Sequence, residues 1–254
     1  MKISAVIITQ NEEANIAEAI HSVDLADEVL VVDSGSSDRT REIAAELGAK
    51  VIFQPWLGFG KQKQFAVDNA QYDRILSIDA DERLSPELRD EIIAIRDGDN
   101  AADGYRIPRL TTYMGRPIRH GGWYPDRQLR FFDRRKGRWK DVAVHESVEM
   151  DEGSSVAYLR GNILHKSVDT SAEHLEMIRS RYAPLAARSQ IERGAAGSRL
   201  KLYLSPLGTF LGGYVFKAGF LDGTRGLRIA SYAAYNTYLK HKLILKSDVP
   251  KGRA

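Results

Sequence analysis

Short apolar runs alternate with amphipathic stretches over the first hundred residues, and this alternation restricts the possible folds more than any other feature of the chain. The apolar runs predict strands and the amphipathic stretches predict helices. The strands fall at 3–9, 28–33, 50–53 and 74–78, and the helices at about 13–23, 38–47, 61–69 and 86–96. We therefore expect a parallel sheet covered by helices, with ligands bound at the carboxyl ends of its strands.

The pattern changes after about residue 103. Gly-rich turns separate strand-like runs at 105–110, 128–132 and 156–164, which predict a smaller mixed sheet, and a helix is expected over 169–193 with a kink at Pro184. The 254 residues include no Cys, which excludes disulfides, thiol catalysis and Cys-ligated metal sites.

The last 56 residues differ from the rest in charge. Residues 199–254 hold 10 Lys or Arg and 2 Asp or Glu, whereas residues 1–198 hold 27 and 32. The stretch 202–221 approaches membrane-spanning length, but Pro206, Lys217 and four glycines favour an interfacial segment, and a helix is expected over 227–246. We expect this region to contact an anionic membrane; a packed helix pair with a solvated basic face is the alternative.

The N-terminal apolar run is too short for a signal peptide and passes directly into polar residues. We therefore expect a cytoplasmic protein, held peripherally on the inner face of the cell membrane.

Carboxylates follow the fourth strand directly, in Asp79-Ala80-Asp81. Two acidic side chains at a strand end can hold Mg²⁺ or Mn²⁺ and leave coordination positions for phosphate oxygens. His165 closes a later strand and is a third candidate ligand for the metal or a diphosphate. The alternatives are a solvated acidic turn and a packed histidine.

Two further polar clusters end the first and second strands. Thr9, Asn11 and Glu12 follow one, and Asp33 ends the other within Asp-Ser-Gly-Ser-Ser-Asp, where its carboxylate can accept a ribose or base edge. Either cluster alone could be a turn. Because parallel strands end at one edge of a sheet, three such clusters together indicate a ligand site there.

These motifs, 6–13, 31–40 and 76–82, resemble family 2 glycosyltransferases of the GT-A fold. Residues 100–245 resemble, more narrowly, the bacterial lipopolysaccharide-core β-1,4-glucosyltransferases through 121–132, 144–146 and 219–223. The resemblance implies an α/β fold. Residues 1–100 would form a GT-A-type nucleotide-binding half with a mostly parallel sheet, 101–198 a smaller mixed-sheet acceptor half, and 199–254 a helical basic appendage. It also implies an inverting transfer from a UDP-sugar, with Thr9, Asn11 and Asp33 at the nucleoside and Asp79 and Asp81 at the diphosphate and metal.

An inverting transfer needs a general base for the acceptor hydroxyl. Glu146 is our first candidate and Asp126 the second. In the family an acidic pair usually stands near this position, whereas this chain has His145-Glu146. An ion-paired surface carboxylate is the alternative interpretation of Glu146.

Other side chains are candidates for binding the two substrates. Trp123 and Tyr124 lie in a Gly-rich loop and could stack on an acceptor sugar, or could simply pack beneath the loop. Four basic residues could hold phosphate, or could lie on solvated faces: Lys61, Lys63 and Arg130 toward the donor and Arg127 toward the acceptor.

The sequence thus favours a metal-dependent hexosyltransferase that moves a sugar, with glucose the first candidate, onto a lipid-anchored inner-core saccharide. A polyprenyl-phosphate glycosyltransferase is a near alternative, but such proteins usually carry clear membrane-spanning helices. A sugar nucleotidyltransferase would show a Gly-rich phosphate loop after the first strand, where this chain has Thr-Gln-Asn-Glu-Glu. A nucleic-acid-binding protein is disfavoured by the acidic residues 1–198 and by the lack of a groove-reading motif.

Overall fold

Strand β1 (Ile3–Thr9) is buried along its whole length and lies inside a sheet. Its side chains alternate between two apolar clusters: Ile3, Ala5 and Ile7 enter one, and Val6 and Ile8 enter the other. A strand that is apolar on both faces requires a covering layer on each side, which explains why the alternation of strands and helices determines the architecture.

The computed structural model describes residues 1–98, 101–141 and 146–247, so Val144 and His145 of the predicted 144–146 motif lie outside the described residues. The chain forms two compact units. We call Met1–Leu110 with Asp126–Lys166 the sheet unit, and Thr111–Pro125 with the described residues from Ser167 onward the helical unit. The boundaries between these two units differ from the boundaries at residues 100 and 198 that we expect from the sequence.

The sheet unit contains most of the strands and the first four helices. Its further strands are β2 (Glu28–Asp33), β3 (Lys50–Phe53), β4 (Arg74–Asp79), β5 (Glu82–Leu84), β6 (Gly104–Tyr113, which continues into the helical unit), β8 (Asp126–Asp133), β9 (Gly137–Trp139), β10 (Val148–Met150), β11 (Val156–Tyr158) and β12 (Ile163–Lys166); β7 (Arg116–Pro117) pairs with the end of β6. Its helices are α1 (Ile16–Ser22), α2 (Thr40–Glu46), α3 (Phe59–Asp68) and α4 (Pro86–Asp97).

The main sheet has the order β3-β2-β1-β4-β8-β6-β12-β5, with β7 and β11 attached to β6. The first four strands of this order are parallel, and β8 pairs antiparallel with both β4 and β6. Strands β9 and β10 form a separate antiparallel ribbon. The predicted α/β fold, a mostly parallel half joined to a smaller mixed sheet, is confirmed.

Two predicted elements are interrupted. The run 156–164 forms two strands, because Gly161 packs against the backbone of Leu88 and the Glu91 carboxylate accepts hydrogen bonds from the amides of Arg160 and Gly161. The helix expected over 169–193 is broken by a π-helical turn at Ile178–Tyr182, just before Pro184 in the first turn of the next helix. Proline lacks the amide donor of an internal helical position, which accounts for the irregularity there.

The helical unit contains α5 (Ser171–Met177), α6 (Ala183–Glu192), α7 (Arg199–Leu211) and α8 (Gly223–Ser247), with a π-helical turn at Gly212–Phe216 and a 3₁₀ turn at Gly219–Asp222. A small core of Tyr113, Ile118, Val168 and Ile229 holds it together. In the described part of the chain, no helix combines the length and the apolar composition needed to cross a bilayer.

The Gly-rich segment near Trp123 and the 219–223 motif meet within this unit. The Asp222 carboxylate accepts hydrogen bonds from the amide of His120 at 2.9 Å and lies 3.0 Å from its Nδ1. The amide of Gly121 donates to the carbonyl of Lys217 at 2.9 Å. Two motifs about a hundred residues apart in sequence therefore build one local structure.

Candidate active site

Three strand ends meet at one edge of the parallel sheet. Thr9 pairs with Asp33 on the neighbouring strand, and Ile8 pairs with Asp79 on the other side. The polar residues that follow β1, β2 and β4 therefore lie together at this edge, as their positions in the sequence predict.

The loops after β1 and β2 are locked together by side-chain hydrogen bonds. Asp33 is fully buried, and its carboxylate accepts hydrogen bonds from the amides of Gly35 and Ser36 and from the Ser36 hydroxyl. The Ser36 hydroxyl in turn accepts from the amide of Asn11 at 2.9 Å, and the Asn11 side chain accepts from the amide of Ser37 at 2.8 Å. Asn11 has a left-handed backbone with φ 55°. The described contacts of Asp33 are thus those of a turn-forming residue, together with the Arg41 guanidinium at 3.7 Å, and its role at a nucleoside stays a prediction.

Thr9 and Glu12 complete the same edge. The hydroxyl of Thr9 is buried and has no hydrogen-bond partner among residues 1–98, 101–141 and 146–247. The Glu12 amide donates to the Thr40 hydroxyl at 2.8 Å, which attaches the first loop to α2. Burial raises the pKa of the Glu12 carboxyl, and the nearby charge of Asp81 adds to the rise. Glu12 and Asp81 are therefore electrostatic neighbours.

A buried lysine lies at the centre of the site. The Lys63 side chain is 1% exposed, and its Nζ lies 3.0 Å from the Asp79 carboxylate and 3.3 Å from Oε1 of Glu146. The same Nζ is 4.9 Å from the centroid of the Trp139 ring. Lysine is rarely buried without such partners. The two carboxylates and the aromatic ring therefore form surroundings that favour a positively charged side chain at this position.

Arg130 is the second buried cation. Its Nη2 is 3.4 Å from both Asp79 and Glu82, and its guanidinium carbon is 5.4 Å from the Trp139 ring centroid. The pairing of β8 with β6 skips this residue, because Tyr105 pairs with Phe131 and Arg106 with Leu129. A β-bulge of this kind redirects a side chain, and here it directs Arg130 toward Asp79.

The two cations determine the protonation of Asp79. Burial alone would raise the pKa of its carboxyl, but the charges of Lys63 and Arg130 outweigh that effect and hold the pKa well below its usual range. The Nε and Nη1 of Arg130 are buried without hydrogen-bond partners among the described residues. The site therefore combines a permanently ionised acid with two unused guanidinium donors.

Three residues that were not predicted support this cluster. Glu82 is buried, accepts from the Asp79 amide at 3.0 Å and lies 3.5 Å from Arg109. Arg109 also holds Asp126 at 2.8 Å, and Trp139 lies beside both buried cations. Glu82 could have been found, since it follows the Asp-Ala-Asp motif directly. Arg109 and Trp139 carry no local signal in the sequence.

Asp81 lies apart from the Asp79 cluster and beside His165. Its Oδ2 is 3.3 Å from Nε2 of His165, and both side chains are partly exposed. Among residues 1–98, 101–141 and 146–247 there is no group of three or more His, Asp or Glu able to hold a metal ion by themselves. The carboxylate nevertheless suits Mn²⁺ or Mg²⁺ when substrate oxygens supply the other ligands, and an imidazole ligand would favour Mn²⁺, a transition metal, over Mg²⁺. Asp81 and His165 fit this role better than Asp79, whose oxygens face two cations.

The two candidate bases differ in their surroundings. The described contacts of Glu146 involve one oxygen, Oε1, which faces Lys63. In Asp126 one oxygen accepts from Arg109 and the other accepts from the Gln128 amide at 2.7 Å. Asp126 therefore has less carboxylate available to take a proton than Glu146.

The remaining predicted residues lie outside this cluster. Lys61 is exposed and pairs with Asp141 at 3.3 Å. Arg127 is exposed, with its guanidinium over the Tyr158 ring. In the helical unit, Trp123 packs edge-on against Tyr113, and Tyr124 lies under the Arg119 guanidinium. Contact of Trp123, Tyr124 and Arg127 with an acceptor stays a prediction.

Comparisons with known proteins identify the family. The family described as Glycosyl transferase family 2 matches residues 4–150. An uncharacterized glycosyltransferase of Rickettsia typhi is 35% identical over 97% of this chain and 89% of its own length. The lipopolysaccharide core biosynthesis glycosyltransferase LpsC of Rhizobium meliloti is 29% identical over 98% of this chain and 96% of its own length. A crystal structure of S. aureus TarS 1-349 overlaps with a TM-score of 0.49 at 15% identity, covering 97% of this chain and 91% of that chain. By the family match and its full-length relatives, the chain belongs to glycosyltransferase family 2 and is similar to lipopolysaccharide core glycosyltransferases.

Proposed function

We propose that the protein transfers a sugar, with glucose the first candidate, from a UDP-sugar to a lipid-linked saccharide of the lipopolysaccharide inner core, with inversion at the anomeric carbon. The observation that carries the proposal is the cluster of Asp79, Lys63, Arg130 and Glu146 at the carboxyl edge of the sheet. Family membership supports the reaction, and the similarity to LpsC, which is named for lipopolysaccharide core biosynthesis, supports the acceptor.

The donor would lie along the edge formed by β1, β2 and β4. Thr9, Asn11 and Asp33 are assigned to the nucleoside, and the hydrogen bonds between their loops would hold that part of the site rigid before the donor binds. The unused donors of Arg130 are assigned to the diphosphate, because an arginine forms charge-assisted hydrogen bonds to phosphate oxygens. Lys63 and Asp79 would contribute to the net charge of the protein surface that lies next to the bound diphosphate.

Asp81 and His165 would hold a divalent cation, Mg²⁺ or Mn²⁺, with Asp79 close to the same diphosphate. When bound, this ion supplies positive charge that stabilises the departing diphosphate.

Glu146 is assigned as the general base. In the transfer, the acceptor oxygen forms a bond to the anomeric carbon, the bond from that carbon to the diphosphate oxygen breaks, and the hydroxyl proton passes to the Glu146 carboxylate. Lys63 would orient this carboxylate through Oε1 and leave the other oxygen for the proton. Asp126 is the second candidate, although Arg109 and Gln128 already occupy its oxygens.

For the acceptor, Trp123 and Tyr124 of the helical unit are assigned to sugar rings, to which they would offer aromatic faces. Arg127 of the sheet unit is assigned to a phosphate, to which it would offer a guanidinium. Because such an acceptor is anchored in lipid, we propose that the enzyme works as a peripheral protein on the cytoplasmic face of the cell membrane.

The reaction is tested by incubating the protein with an inner-core saccharide acceptor and UDP-, GDP- or dTDP-sugars, with and without Mn²⁺, and measuring nucleotide release and the linkage of the glycosylated product. We expect release from a UDP-sugar only with the metal, and its loss in Asp81→Asn. Glu146→Gln should reduce kcat while UDP binding, measured by calorimetry, is retained. Lys50→Gln, at the exposed start of β3, is the matched surface control and should remain fully active. Full activity of Asp81→Asn without metal would refute the metal assignment, and full activity of Glu146→Gln would move the base to Asp126.

A further inference from the structure

Helix α7 carries a continuous row of exposed apolar side chains. They are spaced one, three or four residues apart and are between 38 and 69% exposed: Leu200, Tyr203, Leu204, Leu207 and Leu211. At about 100° of rotation per residue, all five lie within a sector of about 100°. We call this row the α7 stripe.

The opposite face of α7 is held by the protein itself. Leu202 is buried, and the Thr209 hydroxyl lies 3.2 Å from that of Thr237 on α8. The stripe therefore points away from the packed face of the helix. Normally a helix turns its apolar side toward the core, so a folded helix with an exposed apolar row indicates a surface that contacts something else.

The apolar surface continues past the end of α7. Phe216 in the π-helical turn is 82% exposed, and Phe220 and Leu221 in the 3₁₀ turn are 49 and 60% exposed. Phenylalanines and leucines on consecutive short turns form an apolar edge rather than scattered single exposures.

Positive charge accompanies this surface. Arg199 and Lys201 are exposed and lie about 100° to either side of Leu200, where their side chains can extend to lipid headgroups. Residues 199–247 contain eight Lys or Arg and a single acidic residue, Asp222. Eight cations against one carboxylate leave this region with a large excess of positive charge.

We infer that the α7 stripe, with Phe216, Phe220 and Leu221, inserts into the surface of an anionic lipid bilayer, with α7 lying in the plane of the membrane and its flanking cations at the headgroups. An amphipathic helix with apolar residues on one side and cations beside them binds lipid in this way. A second copy of the chain would also cover the stripe, but it would bring two strongly basic surfaces together, which is unfavourable. This inference rests on the proposed function, because a lipid-anchored acceptor is what the enzyme would reach by binding a membrane.

Insertion depth can be measured directly because the chain has no cysteine. Leu207→Cys and Leu47→Cys each give one labelling site for an environment-sensitive fluorophore; Leu47 lies in the sheet unit and is 37% exposed. With vesicles of phosphatidylcholine and phosphatidylglycerol, the label at position 207 should shift to shorter wavelength and be quenched by brominated lipid tails. The label at position 47 should do neither. Equal responses at both positions, or none at 207, would overturn the inference.

Substitutions separate the apolar from the electrostatic contribution. Leu204→Gln combined with Leu207→Gln should weaken vesicle binding by roughly tenfold or more, since each leucine loses its burial in lipid and no charge is added. Leu47→Gln, the matched control, should bind normally. Arg199→Gln with Lys201→Gln should weaken binding and reduce its salt dependence. If the leucine variants instead abolish a dimer seen by light scattering and vesicle binding is unchanged, the stripe is an interface between two copies. Vesicle binding needs no substrate, and nucleotide release needs no vesicle, so failure of this inference is distinguishable from failure of the proposed function.

Discussion

Replacing Lys63 by methionine tests whether the centre of the site is an electrostatic unit. The change keeps an unbranched side chain that is one atom shorter and removes the charge between Asp79 and Glu146. At 3.0 Å and an effective dielectric of about 20, two unit charges attract by about 5–6 kcal/mol. Arg130 still contacts Asp79 in the variant, and the cost of burying the ammonium disappears. We therefore expect Lys63→Met to lower the free energy of unfolding by about 3 kcal/mol at neutral pH.

The pH dependence of this loss identifies its cause. The pKa of Asp79 is lowered in the folded protein, so its contribution is present above the ordinary carboxyl pKa and is lost as pH falls through the folded value. Without Lys63 the carboxyl should take up a proton at higher pH, so wild type and variant should converge as the solution is acidified. Urea unfolding followed by tryptophan fluorescence, to which Trp139 beside Lys63 contributes, measures both values. A loss below about 1 kcal/mol, or one that stays constant as the pH is lowered from about 5 to about 3, would refute the electrostatic explanation.

Three further predictions concern other parts of the structure. In the helical unit, Gly226→Ala should lower the free energy of unfolding by about 1–3 kcal/mol, because the added Cβ would overlap the preceding 3₁₀ turn. Gly208→Ala places its Cβ in open space and should be neutral or stabilising by up to about 1 kcal/mol. Urea unfolding of both variants measures these changes. Burial lowers the pKa of His174, so the contribution of its neutral imidazole to stability is complete above about pH 6.5 and is lost as the pH falls through the pKa of the folded protein. His174→Gln should therefore flatten the decline in Tm between about pH 7.5 and 5.5. An unchanged dependence of Tm on pH would contradict this explanation. Ser36→Ala removes a hydroxyl that donates a hydrogen bond to Asp33. It should raise the KM for the nucleotide sugar about fivefold, the equivalent of about 1 kcal/mol, and leave kcat nearly constant. An unchanged KM would show that this turn is not part of the donor site.

The parallel half of the fold could be predicted because its signals are local. β1 and β2 have the bounds expected from their apolar runs, and α4 begins after Ser85, whose hydroxyl accepts from the Leu88 amide, with Pro86 in the first helical position. Each of these features depends on residues within a few positions of one another, so the chain reveals them without any knowledge of distant contacts.

The partners within the site depend on long-range pairing and could not be predicted in the same way. Lys63 looked like one of two surface lysines at the start of a helix, and only the packing of α3 beside β9 and β4 places it, buried, between Asp79 and Glu146. Arg130 is turned toward Asp79 by a bulge, and a bulge depends on how β6 and β8 align. In the sequence the α7 stripe is part of an apolar stretch, which does not indicate whether it is buried or exposed. Its exposure follows from the packing of α8 against the opposite face of α7.

The two acids of the Asp-Ala-Asp motif differ because the strand ends between them. Asp79 is the last residue of β4 and keeps the strand's direction toward Lys63 and Arg130, so its charge is neutralised by the protein. Asp81 lies beyond the strand, beside His165 and near Glu12, so that two carboxylates there can attract a cation. Had β4 continued for two more residues, both side chains would face the same side of the sheet and compete for the same cations. The early end of the strand therefore allows one short motif to supply both a fixed, compensated carboxylate and a carboxylate available to a metal ion.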